Sequence, residues 1–159
     1  MRKSMINPAE EIISSFDDKY LDLEQLAQVE FTSESIDHPI ESALLPNADS
    51  NSGWKAESAG EQTIRIVFDD PCTVEHIVIL IEEHDRSRSQ EFVILWLMDS
   101  ETVYREIVRQ QFHFSPPDTT NQIEHYEVVL TQLKALELRI IPDICGGEAC
   151  ATLKQLRLA

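Results

Sequence analysis

The sequence predicts an all-β fold, an antiparallel β-sandwich with a short helical N-terminal extension. Three observations predict it. The stretch 63–114 reads as four successive strands, 63–69, 74–83, 91–99 and 104–114, joined by polar connections. The third, Glu91-Phe-Val-Ile-Leu-Trp-Leu-Met-Asp99, is apolar on both faces, as fits a strand covered from both sides. No helix-length segment separates one strand from the next, so the crossovers that a parallel sheet needs are missing.

Taken in order, residues 9–28 are expected to be helical. Ile12, Ile13 and Phe16, then Leu23, Leu26 and Ala27, recur at helical spacing. Asn7-Pro8 is a start signal, because Asn caps and Pro suits the first turn. Asp17-Asp18 divides the run in two. Residues 1–28 are therefore assigned to a helical arm that docks on the sandwich or on a partner, and residues 29–159 to the sandwich domain. Residues 29–60 are polar, with a short helix expected at 37–44 capped by Asp37. A turn-rich loop follows at 47–53 and ends at Trp54.

In the first strand Ile64, Ile66 and Phe68 alternate with Arg65 and Val67, and Asp69-Asp70-Pro71 closes it. Residues 74–81 are nearly all apolar. Residues 82–90 read as a highly charged loop, and 99–102 as a hairpin-like turn. Tyr104, Val108, Phe112 and Phe114 then share one face, opposite Arg105, Arg109, Gln111 and His113. After a loop at 115–121, strands are expected at 126–130 and 136–141, the second ended by Pro142. Gly146-Gly147 marks a tight turn. In the final segment, 149–158, Leu156 and Leu158 alternate with Gln155 and Arg157.

At 159 residues one domain is the default. The formal net charge of −16 repels phosphate backbones and anionic membranes, so neither nucleic acid nor membrane is an expected partner. No stretch reaches the length of a membrane span, and the first residues lack an apolar signal core. Three cysteines, an odd number, suit a reducing compartment, so a cytoplasmic location is expected.

The order of these features resembles the discoidin (coagulation-factor type C) domains among the galactose-binding-domain-like jelly rolls. Phe31-Thr-Ser-Glu-Ser35, His38-Pro-Ile-Glu-Ser-Ala-Leu44 and Ser52-Gly-Trp54 resemble the family's Ser-rich strand, short helix and Trp-ended loop. Thr63-Ile-Arg-Ile-Val-Phe68, Val74-Glu-His-Ile-Val-Ile79 and the aromatic-bearing run 92–100 resemble its strands. The ending from Gly146 to Leu158 resembles its closing loop and alternation. The resemblance covers roughly residues 26–159 and implies a jelly-roll sandwich. Many members hold calcium through an Asp-Gly loop and a Glu near the last strand. Here Leu45-Pro46 and Gln155 stand at those places, which removes the oxygen ligands calcium needs. No family-type calcium is expected, although Asp49 lies nearby.

The chemistry-bearing residues point to binding rather than catalysis. His38, His76, His84, His113 and His125 form no metal-ligand spacing, and four residues separate Cys145 from Cys150, unlike a tight zinc knuckle. No metal and no cofactor are expected. There is no Gly-x-Ser-x-Gly elbow and no phosphate-cradling glycine loop. Cys72 is read as part of a turn, and Cys150, between Ala149 and Ala151, as a small core residue. No enzyme activity is expected.

Sandwich modules bind through loops, where aromatic faces stack and charged forks make paired hydrogen bonds. Trp54, His84, Arg86, Arg88, Gln90 and Asp143 are the candidates for a carbohydrate or small polar ligand. Against this, Trp54 also suits a core position, and Arg86 and Arg88 suit ion pairs with Glu82, Glu83 or Asp85. Arg109, with Arg105, Gln111 and His113, is a second candidate surface. It could receive an anionic partner or the acidic N-terminal arm. The competing reading pairs it with carboxylates on neighbouring strands. The leading expectation is a carbohydrate-binding module of discoidin type. The alternative is a protein–protein interaction or scaffold domain.

Overall fold

The computed structural model describes residues 1–46 and 53–159. Most of the expected 47–53 loop, with Asp49, therefore lies outside the described residues. Helix α1 spans Pro8–Ser14 and begins as the sequence suggests: the Ala9 N–H donates to Asn7 Oδ1 at 3.1 Å, and Pro8 opens the first turn. The rest of the 9–28 segment differs. Only α2, Leu23–Leu26, is also helical, and strand β1 occupies Ala27–Phe31. Pairing explains the change, because residues 27–31 align with Phe68 to Ile64 in an antiparallel ladder, and tertiary pairing overrides weak helix propensity.

Helix α3 is also shorter than expected, Glu41–Leu44, with Ile40 rather than Asp37 at the cap position. No side chain caps it from there. The Ile40 N–H instead donates to Glu34 Oε2 at 2.8 Å, so a carboxylate from earlier in the chain serves the helix start.

The remaining strands are β2 (Trp54–Ala59), β3 (Gln62–Glu82), β4 (Arg88–Met98), β5 (Arg105–Phe114), β6 (Asn121–Ile141), β7 (Cys150–Leu153) and β8 (Gln155–Leu158). Two are far longer than the sequence suggested. The expected strands 63–69 and 74–83 run together as β3, with Cys72 inside it, and 126–130 and 136–141 run together as β6. The two pair antiparallel along their length, with register shifts between Val67 and His76. These shifts exchange the faces of β3. Ile64, Ile66 and Phe68 are buried in its first half, but Ile77, Ile79 and Ile81 in its second. An extra residue at a bulge moves every later side chain to the other face. Asp69-Asp70-Pro71 therefore reads in the structure as the site of that irregularity, not as a strand end.

The strand order is β1-β3-β6-β4-β5, with β8 beside residues 77–80 of β3, and β2 pairs with β7 separately. Both halves of β3 and β6 send apolar side chains into one core with Trp54, Phe92, Ile94, Phe114, Leu156 and Leu158. This is the two-layered arrangement of an antiparallel sandwich. Gly53 leads into β2 with φ +60, and a Cβ there would stand 2.9 Å from the Leu153 carbonyl oxygen, so the close approach to β7 requires glycine.

The N-terminal arm packs on the sandwich. The Phe16 ring lies 4.4 Å from the centre of His76 and 5.0 Å from that of His125, and the Leu21 N–H donates to the Leu158 carbonyl. The arm thus covers β3, β6 and β8, and Arg109 is paired instead with Glu91 and Glu106. Among the described residues no helix is long and apolar enough to cross a membrane.

Candidate ligand-binding cleft

Only residues 83–87 connect β3 to β4, fewer than the 82–90 loop expected. Arg88 and Gln90 belong to β4 and are fully buried. A guanidinium carries five N–H donors, and in a core each needs an acceptor. Arg88 finds four: Nε donates to Glu83 Oε1 at 2.7 Å, Nη1 to Gln90 Oε1 and the Pro142 carbonyl, both at 2.9 Å, and Nη2 to Thr152 Oγ1 at 3.0 Å. Its carbon centre also lies 4.8 Å from the Phe114 ring. Burial pulls the Arg88 guanidinium below its ordinary value, and the Glu83 hydrogen bond works against that. The Gln90 amide continues inward to Gln122. These residues tie four parts of the chain together, and Arg88 and Gln90 themselves are buried away from any ligand.

Beside this buried cluster opens a cleft of about 350 Å³. Strands β2 and β7 supply Trp54, Lys55, Cys150, Thr152 and Leu153. The 82–86 segment supplies Glu82, Glu83, His84, Asp85 and Arg86, and His38, Glu148 and Lys154 complete the lining. The cleft and the cluster share Glu83 and Thr152. Thr152 both accepts from Arg88 and donates to the Glu82 carbonyl at 2.8 Å, so the buried arginine sets the position of the cleft wall.

The seven sequence candidates fall into four places. Trp54, His84 and Arg86 line the cleft. Trp54 does so as part of its floor: it is buried, and its indole N–H donates to the Ser33 carbonyl at 3.1 Å. His84 is exposed, with Nε2 3.4 Å from Glu82 Oε2, and Arg86 is exposed. Arg88 and Gln90 lie beneath. Asp143 is half-buried in the loop before β7, where its Oδ1 accepts the Cys145 N–H in a tight turn; Gly146 and Gly147 follow with φ +82 and +98. Arg109 is elsewhere, on β5, ion-paired to Glu91 and Glu106.

Sequence reasoning missed Lys55, Lys154, Glu82, Glu148 and Thr152. The signal for Lys55 and Lys154 was the β2–β7 pairing, which sets Trp54 opposite Leu153 and Lys55 opposite Thr152. Cys150, expected in the core, is half-buried at the cleft.

No family model matches this sequence, and no curated protein matches it. Solved structures do. A family 32 carbohydrate-binding module from C. perfringens NanJ, in complex with galactose, superposes with a TM-score of 0.63 at 14% identity, covering 87% of this chain and 96% of that one. The chain has the jelly-roll fold of the discoidin and galactose-binding-domain-like proteins. The same jelly roll is seen in the family 32 module of AlyQ in complex with 4,5-unsaturated mannuronic acid, at TM-score 0.58 and 15% identity over 85% of this chain and 95% of that one. It is seen again in reduced XRCC1 bound to the DNA pol beta catalytic domain, at TM-score 0.60 and 14% identity over 84% and 95%. At such identities the likeness is one of fold, and the jelly roll by itself hosts unrelated functions.

Proposed function

We propose that this protein is a non-enzymatic carbohydrate-binding module, and that it takes its ligand in the cleft between the 83–87 loop and strands β2 and β7. The observation that carries this reading is the cleft itself. It is open and of a size that suits one or two sugar rings. It is lined by exposed hydrogen-bonding groups, and it rests on the rigid Arg88 cluster. Preorganised polar groups on a fixed scaffold are what sugar hydroxyls need, because each hydroxyl leaves water and must find a partner. Two of the structural neighbours carry sugars, galactose in one and an unsaturated mannuronic acid in the other, which supports the class of ligand.

The test is a glycan array followed by backbone NMR titration with any glycan that binds. The reading expects shifts centred on residues 82–86, 54–55 and 150–154. Shifts confined to the β5 face, or an array with no hits, overturn it. A second reading, a protein-interaction domain, is favoured by the neighbour seen bound to a polymerase domain. A partner that co-purifies with the full chain, and competes with no sugar, supports that reading instead.

A further inference from the structure

Six of the thirteen cations in this molecule are held by carboxylates or rings. Arg65 pairs with Glu30 and Glu137, Arg88 with Glu83, Arg105 with Glu101, Arg109 with Glu91 and Glu106, and Arg139 with Glu137. Arg157 lies over the Tyr20 ring. In a chain with 29 acidic residues against 13 basic ones, this is the expected fate of a positive side chain.

Seven others, Arg2, Lys3, Lys19, Lys55, Arg86, Lys134 and Lys154, are in no ion pair among the described residues, and three of these, Lys55, Arg86 and Lys154, are gathered in one place. All three line the same cleft, and among the described residues none of them is in an ion pair. They come from three separate elements, the second residue of β2, the 83–87 loop and the residue after β7. The fold therefore gathers them, rather than a local charge run. Lys55 and Lys154 are half-buried while Arg86 is exposed. The cleft also holds carboxylates. Glu83 is engaged by Arg88 and by the Asp85 N–H, and Glu82 by His84. Asp85 and Glu148 remain exposed on its rim.

Among the described residues the cleft has no open Trp, Tyr or Phe face, because the Trp54 indole is buried and hydrogen-bonded. Stacking of a neutral sugar on an aromatic platform, the mode that the sequence suggested, has no surface here. Charge-assisted hydrogen bonds are the remaining strong interaction, and unpaired ammonium and guanidinium groups supply donors for an anion.

We infer that the ligand of this cleft is an acidic sugar, a uronic-acid unit whose carboxylate is taken by Lys55, Arg86 and Lys154. The inference rests on the sugar-binding reading above. Asp85 and Glu148 accept from the ring hydroxyls, which are donors that an anion-only site would not need to serve. The three cations select the carboxylate against the overall negative field of the molecule.

The experiment compares matched sugars that differ at one carbon. Galactose, galacturonic acid and galactosamine, with mannose, mannuronic acid and mannosamine, are titrated into the full-length protein by NMR, alongside an array of neutral, acidic and amino oligosaccharides. The uronic acids are expected to bind about tenfold more tightly than their neutral counterparts at low salt, as one or two partly desolvated charge pairs imply. That ratio should shrink in about 1 M salt, where screening reaches about 3 Å. The double substitution Lys55→Gln with Lys154→Gln should bring the acidic-to-neutral ratio close to one, and thermal unfolding of the variant shows whether it remains folded. Arg86→Gln, at an exposed loop position, provides the same test with no effect on folding. Equal binding of acidic and neutral sugars, or a preference for amino sugars, overturns the inference and leaves the sugar reading standing. Failure of every sugar and every array member to bind overturns the reading of the cleft itself.

Discussion

Two regions of this molecule carry clustered positive charge, and they treat it in opposite ways. On the outer face of β5, Arg105 and Arg109 are answered by Glu101, Glu106 and Glu91; Gln111 donates to Glu91, and His113 meets Ser89 Oγ at 2.7 Å. Around the cleft, Lys55, Arg86 and Lys154 have no carboxylate partner among the described residues. On β5 the partners are near neighbours: Gln111 stands opposite Glu91, Arg109 reaches Glu91 diagonally and Glu106 three residues back, and Arg105 reaches Glu101 four residues back, so the charges complete one another locally. The cleft is built where strands end, and its side chains converge from elements whose register does not match them to neighbours. A self-satisfied face is a surface; a convergent, unsatisfied one is a place for a ligand.

The contrast can be broken most severely at Arg88, the buried cation beneath the cleft. Arg88→Met should cost about 3–5 kcal/mol of stability, because Glu83 is left buried without its partner and the Pro142 carbonyl and Thr152 lose a donor. Urea unfolding measures it. Arg86→Met, two residues earlier and exposed, should change stability by no more than about 0.5 kcal/mol. Comparable midpoints for the two variants would refute the separation of scaffold from rim.

Arg86 and Arg88 also show where the sequence was legible and where it was not. The fold was legible, because alternation such as Ile64, Ile66 and Phe68 is a local pattern with a single period. The bulge that joins 63–69 to 74–83 was hidden. Asp69-Asp70-Pro71 reads as a strand end, yet partner residues on β6 continue the ladder past it. Of the candidate site, Trp54, His84 and Arg86 were found from residue type and the loop between strands. Arg88 and Gln90 were assigned to that same loop, since nothing local says that Thr152, Pro142 and Gln122 lie within reach of them. Lys55 and Lys154 escaped for the same reason: their convergence depends on a pairing about one hundred residues apart in sequence.

A middle-sized effect lies on the outer sheet face. Glu137 is almost fully buried, and both of its oxygens are taken: Oε1 by Arg65 Nε and Nη2, at 3.0 and 2.6 Å, and Oε2 by Arg139 Nε at 2.7 Å. These bonds raise the Arg65 guanidinium above its ordinary value, with Glu137 the larger contributor and Glu30 the next. Glu137→Gln should cost about 1–3 kcal/mol in urea unfolding, the usual range for losing hydrogen bonds to a charge. Arg65 and Arg139 are more than a third exposed and can turn to water, so the cost stays below that of Arg88→Met. A larger loss here than at Arg88 would show that the sheet face, and not the cluster under the cleft, is the rigid part of the sandwich.

Arg109→Ala should leave the urea midpoint close to that of the unsubstituted protein, because its pairs with Glu91 and Glu106 are exposed and screened. Sugar binding in the cleft should survive this substitution. If it does not, the β5 face and not the cleft is the binding surface, and the expectation of a second candidate surface around Arg109 regains its force.

The smallest expected effect is a pH dependence on that same face. Hydrogen bonds from Gln111 first and Arg109 second hold the Glu91 carboxyl below its ordinary value of 4.5. The folded protein therefore binds this proton less readily than the unfolded chain does. Stability from Glu91 is fully present above the ordinary value and is lost as the pH falls below it, through the lowered folded value. Urea midpoints should decline more gently below pH 4.5 in Glu91→Gln than in the unsubstituted protein, and the two curves should run parallel above it. A steeper decline in the variant would mean that Glu91 is not satisfied by its neighbours, and the β5 face would then resemble the cleft rather than oppose it.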